Sequence, residues 1–300
     1  MTKKTYIIYT WGYTNESGGV LVLHKLCDLL REAGEDAYIW PADKKFYACF
    51  SIFHRYWKKF RQWVQSRASV PFLLNPDLNT PIAPASKVKN AIVIYPEVIS
   101  GNPLRSKHVV RWFLNKPGFF TNKINYGNNE LYFFYQKIFN DPIINNNKNN
   151  ELFILPDLIT EYKQTNFSHR EGTCFIVRKG KDRISSSENL QGEVIDGKSH
   201  SEIAEIFNKS EFCISYDSYT MFSAYASICG CKSIVVPTPG LTREQWQPDE
   251  ELSYGIAYGL DDIDRAIQTK DKLVNKLNKT KKENIQSVLT FINKCESFFK

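Results

Sequence analysis

The sequence predicts an α/β protein made of two Rossmann-like, doubly wound domains facing a cleft. Three observations predict it. Apolar runs of strand length alternate with segments whose apolar residues recur every three or four positions. This alternation happens twice along the chain, with a fresh start near residue 172. The 300 residues also exceed what one core usually serves, so two domains of roughly 150 residues are expected. The boundary is set at 1–165 and 166–300, with the last helix able to pack back on the first domain.

The elements follow in order. KTYIIYTWG is a strand running into a glycine loop, and VLVLHKLCDLLREAG is a helix ended by Gly34. DAYIWP completes a strand-helix-strand unit, which argues for a parallel sheet. FSIFHRYWKKFRQWVQSR reads as a helix. VKNAIVIYPEVISGNP is a buried strand, KHVVRWFLNKPG a short element with its turn, and ELYFFYQKIF a strand entering a loop. The asparagine run in DPIINNNKNNELFILPDL marks an exposed loop. In the second half GTCFIVRKGKDR is a strand ending in a basic turn, and GEVIDG is a short strand. SHSEIAEIFNKS is a helix capped at Ser199 or Ser201. EFCISYD, TMFSAYASICG and CKSIVVPTP read as strand, helix and strand. The stretch from GIAYGL to the C-terminus reads as a turn and then helix.

Apolar residues make up 42% and charged residues 24%, which suits a soluble globular chain. The net charge of +7 favours anionic partners without choosing among them. The basic residues are scattered and no nucleic-acid motif appears, so a nucleic-acid partner is not expected. The seven cysteines are odd in number and mostly sit in apolar runs, as reduced core residues of a cytosolic protein do. Cys229 and Cys231 form a lone C-x-C without a second pair, so no metal site is expected. The N-terminal apolar run is too short and polar for a signal peptide, and no run approaches a membrane span.

Five groups of residues could carry chemistry. Tyr216, Asp217, Ser218, Tyr219 and Thr220 lie where a strand ends and a helix begins. A helix N-terminus offers unsatisfied N–H groups and partial positive charge to a phosphate. The plainer reading is that Asp217, Ser218 or Thr220 caps the helix. Arg178, Lys179 and Lys181 surround Gly180 at another strand end, with Arg183 beyond. They could neutralise a diphosphate or form a solvated turn. Gly18 and Gly19 would let the backbone approach a ligand where the first helix begins, though they lack dinucleotide or Walker spacing. Glu97 ends an apolar strand and could act as a general base, or bind a backbone amide. His108, Arg111 and Lys116 follow it and could recognise an anionic acceptor. His24, inside the first helix, reads as structural. Trp57, Lys58, Phe60, Arg61 and Trp63 belong to an aromatic and basic pattern that fits a membrane-surface helix, or a core stripe with a solvated basic face.

SGGVLVLHKLCDLLREAG, IVIYPEVISGNPL, VVRWFLNKPG, FIVRKGK and SYDSYTMFSAYASICGCKSIVVP together resemble bacterial glycosyltransferases of the two-Rossmann GT-B type. The closest group acts in O-antigen, lipopolysaccharide and capsule assembly, and the resemblance covers most of the chain. It implies that the C-terminal domain holds a nucleoside-diphosphate sugar, with Arg178, Lys179 and Lys181 near the diphosphate. Tyr216 to Thr220 would surround phosphate and sugar, and Gly18 and Gly19 would close over the donor. A glycan or lipid-linked glycan acceptor would lie on the N-terminal domain, at the inner face of the cytoplasmic membrane. No cofactor or metal is implied, since cations and helix amides would stabilise the leaving diphosphate. Many retaining members carry two glutamates separated by seven residues. Here Asp217 and Tyr225 stand in that region, so the pattern is absent. Glu97 is the base expected of an inverting enzyme, with Asp217 the alternative carboxylate. The rival expectation is a module of the same fold that binds a nucleotide sugar or polysaccharide without turning it over.

Overall fold

The computed structural model describes residues 4–42, 72–156, 159–184, 190–278 and 280–300. The chain divides into two compact units, residues 1–156 with 282–300, and residues 157–281. The division falls at Pro156/Asp157 rather than at 165/166. The reason is local: Tyr162 is buried in the second core, and the Thr165 and Asn166 amides donate to Asn208 Oδ1.

The first unit holds β1 (Thr5–Thr10), α1 (Gly18–Glu32), β2 (Asp36–Pro41), β3 (Ile92–Pro96), β4 (His108–Phe113) and β5 (Leu131–Phe134). The strands are parallel, in the order β2-β1-β3-β4-β5. Successive side chains point to opposite faces of a strand. Tyr6, Ile8, Ile92 and Ile94 therefore enter one core with Leu26 and Leu30 of α1, while Ile7, Tyr9, Val93 and Tyr95 enter the other. Burial on both faces explains why these strands read as unbroken apolar runs. Ser17 caps α1 by accepting the Val20 amide, and Gly34 takes a left-handed φ of 89° just beyond its end.

The second unit holds β6 (Thr173–Ile176), β7 (Glu193–Val194), α2 (His200–Lys209), β8 (Phe212–Ser215) and α3 (Met221–Ile228). It continues with β9 (Lys232–Val235), α4 (Arg243–Trp246), β10 (Ile256–Tyr258) and α5 (Ile263–Asn278). The parallel order is β10-β9-β8-β6-β7. Counted from the first strand of its own unit, each sheet runs 2-1-3-4-5. Two five-stranded parallel sheets of this order are consistent with Rossmann-like doubly wound domains.

Three details depart from the sequence reading. Ile256–Tyr258 is a strand rather than a turn, because its three residues pair with Ser233, Ile234 and Val235. Arg243–Trp246 adds a short helix closed by a Thr242–Gln245 capping box. The C-terminal helical stretch is assigned as two helices, α5 and α6 (Thr280–Phe298). Val288, Phe291, Ile292 and Cys295 of α6 belong to the first unit's core. The six described cysteines are free thiols and buried. Among the described residues no helix is long and apolar enough to cross a membrane.

Candidate functional site

In doubly wound sheets ligands bind beyond the C-terminal strand ends, where the strand order reverses and the flanking loops part. That point lies between β6 and β8 in the second unit. The two strands end in register, with Ile176 beside Ser215, and the Tyr216 amide donates to Ile176 O at 2.8 Å. The basic turn and the hydroxyl loop therefore leave the sheet side by side.

After β6 the chain makes a 3₁₀ turn over Arg178–Arg183, with Arg178 at a left-handed φ of 42°. Gly180 lies against the neighbouring loop, and an added Cβ would sit 2.2 Å from Tyr216 O. No side chain other than hydrogen fits there. The cations differ in their work. Arg183 Nη1 donates to Tyr216 O and Ser218 Oγ, both at 2.6 Å, and Nη2 donates to Val236 O. It thus ties together the loops after β6, β8 and β9. Arg178 places its guanidinium 4.8 Å from the centre of the Phe222 ring. Lys179 Nζ donates to Tyr219 O at 3.2 Å and lies 3.5 Å from Asp217 Oδ1. Lys181 is exposed, and its side chain makes no hydrogen bond or ion pair among the described residues.

One anion already occupies the amides of this turn. Asp196, beyond β7, accepts the Val177 amide at 3.2 Å and the Arg178 amide at 2.5 Å. No sequence motif marked Asp196, because its partners lie eighteen or more residues away and only the fold unites them.

Within the hydroxyl loop, Thr220 is the cap of α3, its Oγ1 accepting the Phe222 amide. Tyr216 and Asp217 are buried, whereas Ser218, Tyr219 and Thr220 are half-buried. Asp217 Oδ1 accepts the Tyr219 amide, and its Oδ2 is buried without a hydrogen-bond partner among the described residues. The Tyr219 phenol, its pKa pushed up to about 12 by burial, donates to Trp246 O, and Trp246 Nε1 donates to Ser218 O at 2.9 Å. The Trp246 ring stacks on Tyr258 at 4.9 Å. Trp246 thus braces the loop from a helix that the sequence reading did not contain.

The matching point of the first unit lies between β1 and β3. Gly18 and Gly19 open α1 there. An added Cβ on Gly18 would meet nothing within 4 Å, and one on Gly19 would meet only Leu114 Cδ1 at 3.6 Å. Within the unit, neither site sterically requires glycine. Glu97 is buried, and its Oε2 accepts the Leu114 amide at 2.9 Å, so the carboxylate holds the loop after β4. Tyr126 donates its hydroxyl to Glu97 O.

Two residues expected on an acceptor need correction. Arg111 is fully buried. Its Nε and Nη2 grip both oxygens of Glu130 at 3.0 and 2.9 Å, and Nη1 and Nη2 also donate to Ile99 O and Gly101 O. The rings of Tyr95 and Tyr126 lie 5.1 and 4.5 Å from it. Four of its five N–H donors are used inside the protein and the side chain has no exposed surface for an outside anion, so Arg111 is a structural ion pair. His108 begins β4, at the N-terminal edge of the sheet, with its ring against Phe299 and its pKa lowered by burial and then by Lys4 and Lys107. Lys116 lies beyond the opposite end, exposed. The strand alone separates them by about 16 Å at roughly 3.3 Å per residue, so His108 and Lys116 do not share a site.

His24 is wholly buried between Tyr13 and Phe72, with Nε2 on Trp11 O at 2.9 Å and Nδ1 without a partner among the described residues. Trp57, Lys58, Phe60, Arg61 and Trp63 lie outside the described residues. Among the described residues no group of three or more His, Cys, Asp or Glu is placed to hold a metal ion. Comparison with protein-family models gave no match, and comparison with curated proteins gave none either.

Proposed function

We propose that the protein is a metal-independent glycosyltransferase of the GT-B type. It moves a hexose from a nucleoside-diphosphate sugar to a growing cell-surface glycan at the cytoplasmic side of the membrane. The second unit holds the donor and the first unit the acceptor. One observation carries this reading. At a single switch point the fold brings together exposed lysines, a hydroxyl-rich loop and the N-terminus of an eight-residue helix. Lys179, partly exposed above Asp217, and exposed Lys181 are the cations that would face the diphosphate, with Ser218 and Thr220 beside them. Arg178 and Arg183 shape the turn.

A thermal-shift panel of UDP, GDP, CMP, TDP and ADP with their sugar conjugates tests it. A ligand at 100 times its dissociation constant adds about 2.7 kcal/mol of stability. A shift with one nucleotide family is expected, and no shift with any of them on folded protein would overturn the donor site.

The burial of both candidate carboxylates favours a second reading, a binding module that does not turn its ligand over. Glu97 already serves a backbone amide, and Asp217 lies beneath Lys179. Hydrolysis or transfer of the bound donor separates the two readings.

A further inference from the structure

The second unit also contains a cavity that the switch point does not use. It measures about 230 Å³ and is lined in part by Gly230, Ser233, Gly255, Ala257, Ala266 and Lys270. Gly230 lies two residues before β9 and Gly255 immediately before β10, so the cavity lies at the N-terminal ends of those strands. The basic turn and hydroxyl loop leave the C-terminal ends.

Three features define what would fit. Much of the wall is apolar, with Ala257, Ile263, Ala266 and Ile267. Lys270 of α5 is half-buried, and its ammonium donates to the amide oxygen of Gln164 at 2.9 Å. No carboxylate among the described residues pairs with it. Asp271 acts on it only at longer range. Burial, and then the neighbouring Arg170, hold its amine below the usual value. Among the described residues Arg170 is held by the carbonyls of Asn166, Phe207, Ser210 and Cys229 and by no carboxylate. Lys232 differs, since Glu211 pairs with it at 2.8 Å. Finally, Ser233 is 2% exposed and its hydroxyl has no hydrogen-bond partner among the described residues. An orphan buried hydroxyl and unneutralised cations beside an apolar hollow ask for an anion with an apolar body.

We propose that this cavity binds a small amphipathic carboxylate, with its carboxyl oxygens on Lys270 and Ser233 and its body against Ala257, Ile263 and Ala266. An engineered cavity of about 150 Å³ accepts benzene. By the same scale 230 Å³ holds about nine non-hydrogen atoms, the size of an aromatic monocarboxylate. The site stands apart from the nucleotide reading and does not depend on it.

Benzoate is the probe, titrated into the full chain by calorimetry, with benzyl alcohol as the neutral control. One-to-one binding of benzoate is expected. Benzyl alcohol should bind more weakly by about tenfold or more, as loss of a charged hydrogen bond implies. K270M should weaken benzoate by a similar factor, S233A by a few-fold, and A266L should abolish binding by filling the hollow. Thermal melts check that each variant is folded, and K270Q replaces K270M if that variant does not fold. Absence of benzoate binding, equal binding by the Lys270 variant, or equal binding of benzyl alcohol would each overturn the proposal. A failed nucleotide panel with intact benzoate binding would sink the donor site and leave this one standing.

Discussion

Beside the switch point of the first unit, the guanidinium of Arg111 is fully buried and bound on every side by Glu130, two carbonyls and two tyrosine rings. At the switch point of the second unit, Lys179 is 33% exposed and rests on one carbonyl and one carboxylate. The two sheets have the same strand order, so the difference lies in the loops. The first set of loops holds itself together with a buried ion pair. The second leaves cations and hydroxyls at the surface and is held from beneath by Arg183 and Trp246. A buried charge that is already paired cannot serve a ligand, whereas a half-exposed one can. The second unit therefore carries the stronger candidate site.

Substitutions can break or sharpen this contrast. The largest effect belongs to the first unit. E130A leaves the Arg111 charge buried and unpaired, and should cost about 3–5 kcal/mol in urea unfolding. Replacing both partners by apolar residues should recover most of that loss. A loss below about 1 kcal/mol for E130A would mean that Arg111 finds solvent, and the contrast would fail.

G180A comes next. Its Cβ would strike a backbone oxygen, which cannot swing away, so a loss of about 1–3 kcal/mol is expected in the second unit. Unchanged stability would show that the two loops are not pressed together.

T220A removes the cap of α3 and should cost about 1 kcal/mol. T220S should restore it, and failure of that rescue would assign the loss to packing instead.

A pH dependence belongs to the first unit. Burial lowers the His24 pKa, so the folded state resists the proton that the unfolded chain accepts near the ordinary value of about 6.5. Its contribution is whole above about pH 6.5 and falls as pH drops below it. H24Q should flatten the stability profile between pH 7 and 5. A wild-type profile that rises on acidification would contradict the burial.

The smallest stability effect is that of K179A, within about 0.5 kcal/mol, as for other partly exposed ion pairs. The same variant should lose the thermal shift that the cognate nucleotide produces. Retention of the shift would remove Lys179 from the diphosphate.

The sequence by itself determined the alternation of elements. The unbroken apolar strands, the three- and four-residue spacing of α1 and α2, and the caps at Ser199 and Gly34 are local signals. Local spacing is enough to read them. It also placed both second-unit clusters at strand ends. It could not rank the cations within RKGKDR, since four identical charges in six residues look alike until their partners are known. It could not show that Arg111 and Glu130, nineteen residues apart, form one ion pair. Nor could it show that Asp196 fills the amides after β6, or that Trp246 braces Ser218. Three-residue β10 escaped notice because a strand that short shows no period; only its pairing with β9 makes it one. The tertiary structure decided which charges are neutralised and which remain free. That depends on distances between residues far apart in sequence, and burial makes such charges costly to leave unpaired.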